Sequence, residues 1–268
     1  MTFTFRRAAT TVLIAALSFS FVVIARAEGV WLSRTKANGI YLLVTTVDLN
    51  NPNVKVTGML AERGAGSNET LDRMVWRAHP TAAVTGTFFD VASGAVLGDI
   101  VVNGKLAHRG GIGTGFCINT YNECKFVQPS RRYSHTDWKD FDFVCCSGPR
   151  LVHNNRAEVH PGLEGFHDRH MLARNSRLAV GITKNNKLLF VATRQQVQLG
   201  QLAQAMKHLG CVEAINLDAG SSLGYYYKGR MIARPGRRLT NAILIYDDVD
   251  RYERFKSRLT PAPRIAKR

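Results

Sequence analysis

Two stretches of this chain run from apolar residues into an acid flanked by small or hydroxyl-bearing residues. One is Ala214-Ile215-Asn216-Leu217-Asp218-Ala219-Gly220-Ser221-Ser222, and the other is Val84-Thr85-Gly86-Thr87-Phe88-Phe89-Asp90. An ionised Asp is costly to bury unpaired, so an acid at the mouth of an apolar strand asks for partners or a ligand. Gly86 and Gly220 let the backbone turn and let a ligand approach, while Ser221 and Ser222 add hydrogen-bonding hydroxyls. Hydrolysis of an acetal needs paired carboxylates, one as general acid and the other as nucleophile or water-activating base. Asp90 and Asp218 are therefore the candidate catalytic acids. Gly98-Asp99-Ile100 and Val102-Asn103-Gly104 follow the first stretch closely and add Asp99 and Asn103 to the candidate site. Arg177 opens the apolar run Leu178-Ala179-Val180-Gly181, where its permanently charged fork suits a phosphate or carboxylate.

Other chemistries are weaker on the same residues. Asp90, Asp99 and Asp218 together would suit a divalent cation, which is the signature of a cation-dependent phosphoesterase. His153, His160, His167 and His170, with Glu164 and Asp168, have zinc-ligand chemistry, but Pro161, Gly162 and Gly165 among them argue for loop. No metal ligand and no cofactor is expected.

These residues need a frame to position them. Val30 to Leu60 reads as three antiparallel strands, Glu69 to His79 as a helix capped by Asn68, and Ala82 to Phe89 as a strand. Asn119 to Asp142 is polar and turn-rich, a long loop. Arg177 to Ile182 and Lys187 to Thr193 form a hairpin through Asn185-Asn186. An amphipathic helix over Leu199 to Leu209 stops at Gly210, and Val212 to Leu217 is a buried strand. Many strands with two clear helices give an α+β fold: a single domain with a mixed or antiparallel β-sheet core and a few helices.

Arg6 and Arg7, the apolar run Ala8 to Ile24 and Ala25-Arg26-Ala27 make residues 1–27 a cleavable secretory signal. The domain then occupies 28–247 and a basic tail 248–268, with a periplasmic or secreted location and no membrane span after cleavage. Taking those two arginines and Arg26 from 36 basic residues leaves 33 against 20 acids, a net charge of +13. That excess favours an anionic partner such as a glycosyl phosphate or anionic polysaccharide, and nothing resembles a specific nucleic-acid module. Cys117, Cys124, Cys145, Cys146 and Cys211 all follow the signal, and an exported chain permits disulfides. One bond is expected, closing the Cys117–Cys124 loop on itself or on the Cys145/Cys146 pair.

The ordered set of Gly86-Thr87-Phe88-Phe89-Asp90, Val102-Asn103-Gly104, Ser147-Gly148-Pro149, Arg177 to Gly181, Asn216 to Ser222, and Pro235-Gly236-Arg237 through Asn241 resembles the phosphodiester glycosidase family. The similarity runs from Ile40 to Tyr246. It implies a secreted α+β domain that hydrolyses a sugar-1-phosphodiester. By the same resemblance Asp218 lies near the anomeric carbon and Asp90 takes the complementary role, in either assignment. Arg177 and Arg238 would neutralise the departing phosphate, and Thr87, Ser221, Ser222 and Asn241 would hydrogen-bond the substrate. The chain departs from the family pattern at Thr85, where the family has Asn, and in a shortened glycine run after Asp218. A non-catalytic polysaccharide-binding or assembly protein of the envelope is the alternative on the same fold.

Overall fold

Alternation of side chains along the strands divides the core into layers. The computed structural model describes residues 28–129 and 137–261. The expected signal, residues 1–27, and residues 262–268 lie outside the described residues.

Strands β1 (Val30–Ala37), β2 (Ile40–Asp48), β10 (Arg150–His153), β11 (Arg156–Ala157), β12 (Asn175–Thr183), β13 (Lys187–Val197) and β14 (Cys211–Leu217) build a seven-stranded sheet ordered β1-β2-β13-β12-β14-β10-β11. A second sheet is ordered β16-β15-β4-β17-β3, from β3 (Lys55–Leu60), β4 (Ala82–Thr85), β15 (Tyr225–Tyr227), β16 (Arg230–Ala233) and β17 (Asn241–Tyr246). A third is ordered β6-β5-β9-β7-β8, from β5 (Ile100–Val102), β6 (Lys105–His108), β7 (Thr114–Ile118), β8 (Cys124–Val127) and β9 (Phe143–Ser147). All named pairings are antiparallel. The fold is α+β, as the sequence indicates.

Leu178, Val180, Ile215 and Leu217 of the large sheet meet Val84, Tyr225, Ile243, Phe116 and Phe143 of the other two in one central core. Ala179, Val191 and Ala214 point the opposite way, against Leu202, Ala203 and Met206 of α3 (Leu199–His208). Ala83 and Leu244 of the second sheet are covered by Leu71, Met74 and Ala78 of α1 (Leu71–Ala78) and by Tyr252 of α4 (Val249–Phe255). Strand β14 is buried on both faces at its end, with Ile215 and Leu217 in the central core and Ala214 against α3, and its one polar residue there, Asn216, is buried as well.

Several expectations are corrected. Helix α1 starts two residues later than expected, and its cap is Thr70, whose hydroxyl accepts from the Arg73 N–H. Glu69 instead turns inward, where its carboxylate takes the Arg77 guanidinium at 2.7 Å and the Glu62 N–H at 3.0 Å. The long loop contains β8. The basic tail, whose sequence allows either a loose helix or disorder, begins as helix α4, capped by the Asp248 carboxylate. All five cysteines are free thiols, so the expected disulfide is absent. The register separates Cys117 from Cys124: Cys117 pairs with Lys125 and Ile118 with Cys124, an offset of one that sends the two sulfurs to opposite sheet faces. Cys117 and Cys146 lie on the outer face under Trp138, while Cys124 and Cys145 face the central core.

Candidate functional site

Strand ends from all three sheets meet around Asp218. The Asp218 N–H donates to the Gly86 carbonyl at 3.0 Å, joining the end of β14 to the end of β4. Strand β17 enters antiparallel to β4, with Ala242 opposite Thr85, which sets Asn241 beside Gly86. There the Asn241 Oδ1 accepts the Thr87 N–H at 2.8 Å and its Nδ2 donates to the Thr87 carbonyl at 3.0 Å. Gly86 is required by this approach, since a Cβ there would fall 2.1 Å from Asn241 Oδ1. From the third sheet, β9 ends at Ser147, and the Gly148 and Pro149 carbonyls accept from the side chain and backbone of Asn216.

The acid itself is buried. Burial pushes the Asp218 carboxyl up to about 7, against a hydrogen bond with Ser222 and the charge of Arg237, which both pull it down. A carboxyl titrating there holds and releases a proton in the neutral range. Thr85 braces the same loop: its hydroxyl donates to the Ser222 carbonyl at 2.6 Å and accepts the Gly224 N–H at 2.9 Å. Gly220 has φ +60 and packs against the Asn175 side chain, so the turn after the acid needs glycine on both counts. Ser221 is exposed, and its carbonyl accepts the Gly236 N–H at 2.8 Å, tying down the loop that carries Arg237.

The remaining sequence candidates are placed differently. Asp90 is fully exposed on the turn that follows, its Oδ1 accepting the Ser93 N–H and hydroxyl, each at 2.7 Å. Those bonds hold its carboxyl below the usual carboxylate range. Asp99 is buried and occupied: one oxygen takes the Gly110 N–H and the other the Trp138 indole N–H, each at 2.7 Å. Asn103 accepts from the Tyr252 hydroxyl at 2.8 Å and donates to the Lys256 carbonyl, so it anchors α4. Arg177 sits at the expected strand start, but its guanidinium is buried on the carbonyls of Val197, Met171 and Ala173. Burial draws it down to about 10. It pins the segment around α2 (Arg169–Leu172) to the sheet instead of facing outward. Arg238 is exposed near the site, yet the charge that reaches Asp218 is that of Arg237.

Glu164, weighed above as a zinc ligand, accepts from the Thr114 hydroxyl at 2.6 Å and the Arg150 N–H at 2.7 Å. His153 faces Glu213 at 3.1 Å. Among the described residues no three His, Cys, Asp or Glu side chains gather as a metal site needs. Sequence reasoning passed over three polar groups: Arg237, and the buried Ser147 Oγ and Asn216 Oδ1. The last two have no hydrogen-bond partner among the described residues. Both lay inside quoted stretches, Ser147-Gly148-Pro149 and Asn216 to Ser222, but were read as turn and strand.

The phosphodiester glycosidase family model matches residues 78–246, a span that contains every strand end described around Asp218. The chain belongs to the phosphodiester glycosidase family. Among solved structures, the chain is similar to a hypothetical protein from Synechocystis, with TM-score 0.69 and 16% identity, over 81% of this chain and 61% of that one. It therefore spans less than two thirds of that protein's length. It is also similar to the catalytic domain of zebrafish N-acetylglucosamine-1-phosphodiester alpha-N-acetylglucosaminidase, auto-inhibited by its pro-peptide, with TM-score 0.67 and 21% identity, over 82% of this chain and 83% of that one. At these identities the likeness is one of fold. No curated protein matches the chain in sequence.

Proposed function

We propose that this chain is an exported hydrolase that cleaves the glycosidic bond of a sugar-1-phosphodiester in envelope or extracellular glycans. The observation that carries the reading is Asp218: a buried carboxyl titrating near 7, with the Arg237 charge beside it. Environments that drive two carboxyls in opposite directions divide the acid and base roles between them. Asp218, raised, is the proton carrier. Asp90, lowered and exposed on the segment leaving Gly86, is the complementary nucleophile or base. Water adds to the anomeric carbon, the bond from that carbon to the phosphate oxygen breaks, and the phosphomonoester leaves with the electron pair. Asp218 supplies the proton at that oxygen, a light demand for a leaving group already stabilised as a phosphate. Arg237, with Arg238, offsets its charge. The unpartnered Ser147 hydroxyl and Asn216 carbonyl oxygen provide hydrogen bonds for sugar hydroxyls.

The test is hydrolysis of a synthetic glycosyl phosphodiester in ¹⁸O-water. Label in the free sugar is the expected result. Label in the phosphate would make the protein a phosphoesterase, and no product with retained binding would make it a polysaccharide-binding protein.

A further inference from the structure

The loop that serves Asp218 also walls a second cavity. Strands β2 and β13 pair only as far as Leu43 opposite Ala192, and beyond that point the Gln195 side chain accepts the Tyr41 N–H at 2.6 Å. The strands part there and leave a pocket of about 370 Å³ between the large sheet and β15–β16. Its floor is apolar, made of Leu43, Ala192, Leu223, Ile232 and Ala233. Its rim is cationic. Arg34 and Arg194 line it, and Lys36 lies 5.1 Å from the ring centroid of Tyr41, another lining residue. Arg194 spends one nitrogen on the Ile232 carbonyl, and no Asp or Glu lines the pocket.

The pocket opens on the same rim of the large sheet as the acid. Leu217 lies opposite Leu178, and Arg177 opposite Thr193, which lines the pocket. Leu223 directly follows Ser222, the residue whose side chain is hydrogen-bonded to Asp218. A glycosyl diester with its sugar at Asp218 would hold its phosphate beside Arg237, and the chain beyond the phosphate would run along the strand ends past the cationic rim to the apolar floor.

We propose that this pocket binds the aglycone of the substrate, and that the aglycone is a hydrocarbon chain, making the substrate class a glycosyl phosphodiester of an amphiphilic alcohol. The proposal rests on the hydrolase reading above. An uncharged polar aglycone would leave the floor unused, and a free hydrocarbon would leave the rim unpaired. Both features together select an amphiphilic anion. Each buried methylene is worth roughly fourfold in affinity, so chain length is a sensitive probe.

Two measurements test it separately from the hydrolase reading. In calorimetric titration of the mature chain, dodecyl phosphate below its micelle concentration is expected to bind at least tenfold more tightly than inorganic phosphate. Ile232→Glu is expected to abolish that advantage. Arg34→Glu, on an exposed strand position, is expected to weaken dodecyl phosphate but not uncharged dodecyl maltoside. In turnover, the dodecyl diester of a sugar phosphate is expected to exceed the methyl diester at least tenfold in kcat/KM, with Ile232→Glu erasing the difference and sparing the methyl rate. Dodecyl phosphate binding no better than inorganic phosphate, or equal kcat/KM for the two diesters, overturns the pocket assignment. Chain-dependent binding that both substitutions weaken, with neither diester hydrolysed, overturns the hydrolase reading and upholds an amphiphile site.

Discussion

Asn241 grips the Thr87 peptide with both ends of its amide, accepting the N–H at 2.8 Å and donating to the carbonyl at 3.0 Å. The residue is expected from sequence to bind substrate. Its buried side chain instead fixes the backbone between the two acid-bearing segments, and it does so at a distance that leaves no room for a Cβ on Gly86.

Gly86→Ala should therefore destabilise the fold, by about 1–3 kcal/mol as an overpacked methyl typically does. Urea denaturation measures it. Thr87→Ser keeps both peptide groups that Asn241 grips and should cost much less.

Much of the frame is legible in the sequence because single residues announce it. Asn185-Asn186 marks the β12–β13 hairpin, Gly210 the end of α3, and the apolar run before Asp218 a strand buried on both faces. The acid after it is legible too, since an unpaired carboxylate is conspicuous in apolar surroundings. Side-chain direction is what the sequence leaves open. Arg177 sits where the strand pattern puts it, but unsatisfied carbonyls at Met171, Ala173 and Val197 claim its guanidinium, a choice set by a segment packed on it in three dimensions. Arg237 and Arg238 are neighbours in sequence, and the charge that reaches Asp218 is that of Arg237, a difference set by the three-dimensional course of the loop.

The two arginines should separate in their effects. Arg177→Ala leaves buried carbonyls without donors and should cost about 2–4 kcal/mol in stability. Arg237→Ala should leave the unfolding midpoint nearly unchanged and lower kcat/KM about a hundredfold, as loss of an electrostatic contact to a transition state does. Without the Arg237 charge the Asp218 carboxyl should titrate higher still, moving the pH profile of the residual activity upward.

Burial of Asp218 has a sign in the pH dependence of stability. Its carboxyl titrates at 3.8 when unfolded and about 7 when folded, so folding takes up a proton between those values. The stabilising contribution of the protonated form is complete below pH 3.8 and is lost as pH rises through 7, at most about 4 kcal/mol. Asp218→Asn removes this dependence. At pH 8 the variant should be more stable than the parent in urea denaturation, and at pH 4 it should not.

The same titration sets the rate profile. As a proton donor Asp218 should give a kcat that falls as pH rises through about 7. Asp90→Asn should lower the rate without moving that limb, and Asp218→Asn should abolish the limb.

The most direct measurement is release of free sugar from UDP-GlcNAc and from synthetic glycosyl phosphodiesters by the purified protein and by Asp218→Asn. The account predicts release by the parent and a loss of roughly 10²–10⁴ in the folded variant. Sugar released equally by both, or from no phosphodiester by the parent, would contradict it.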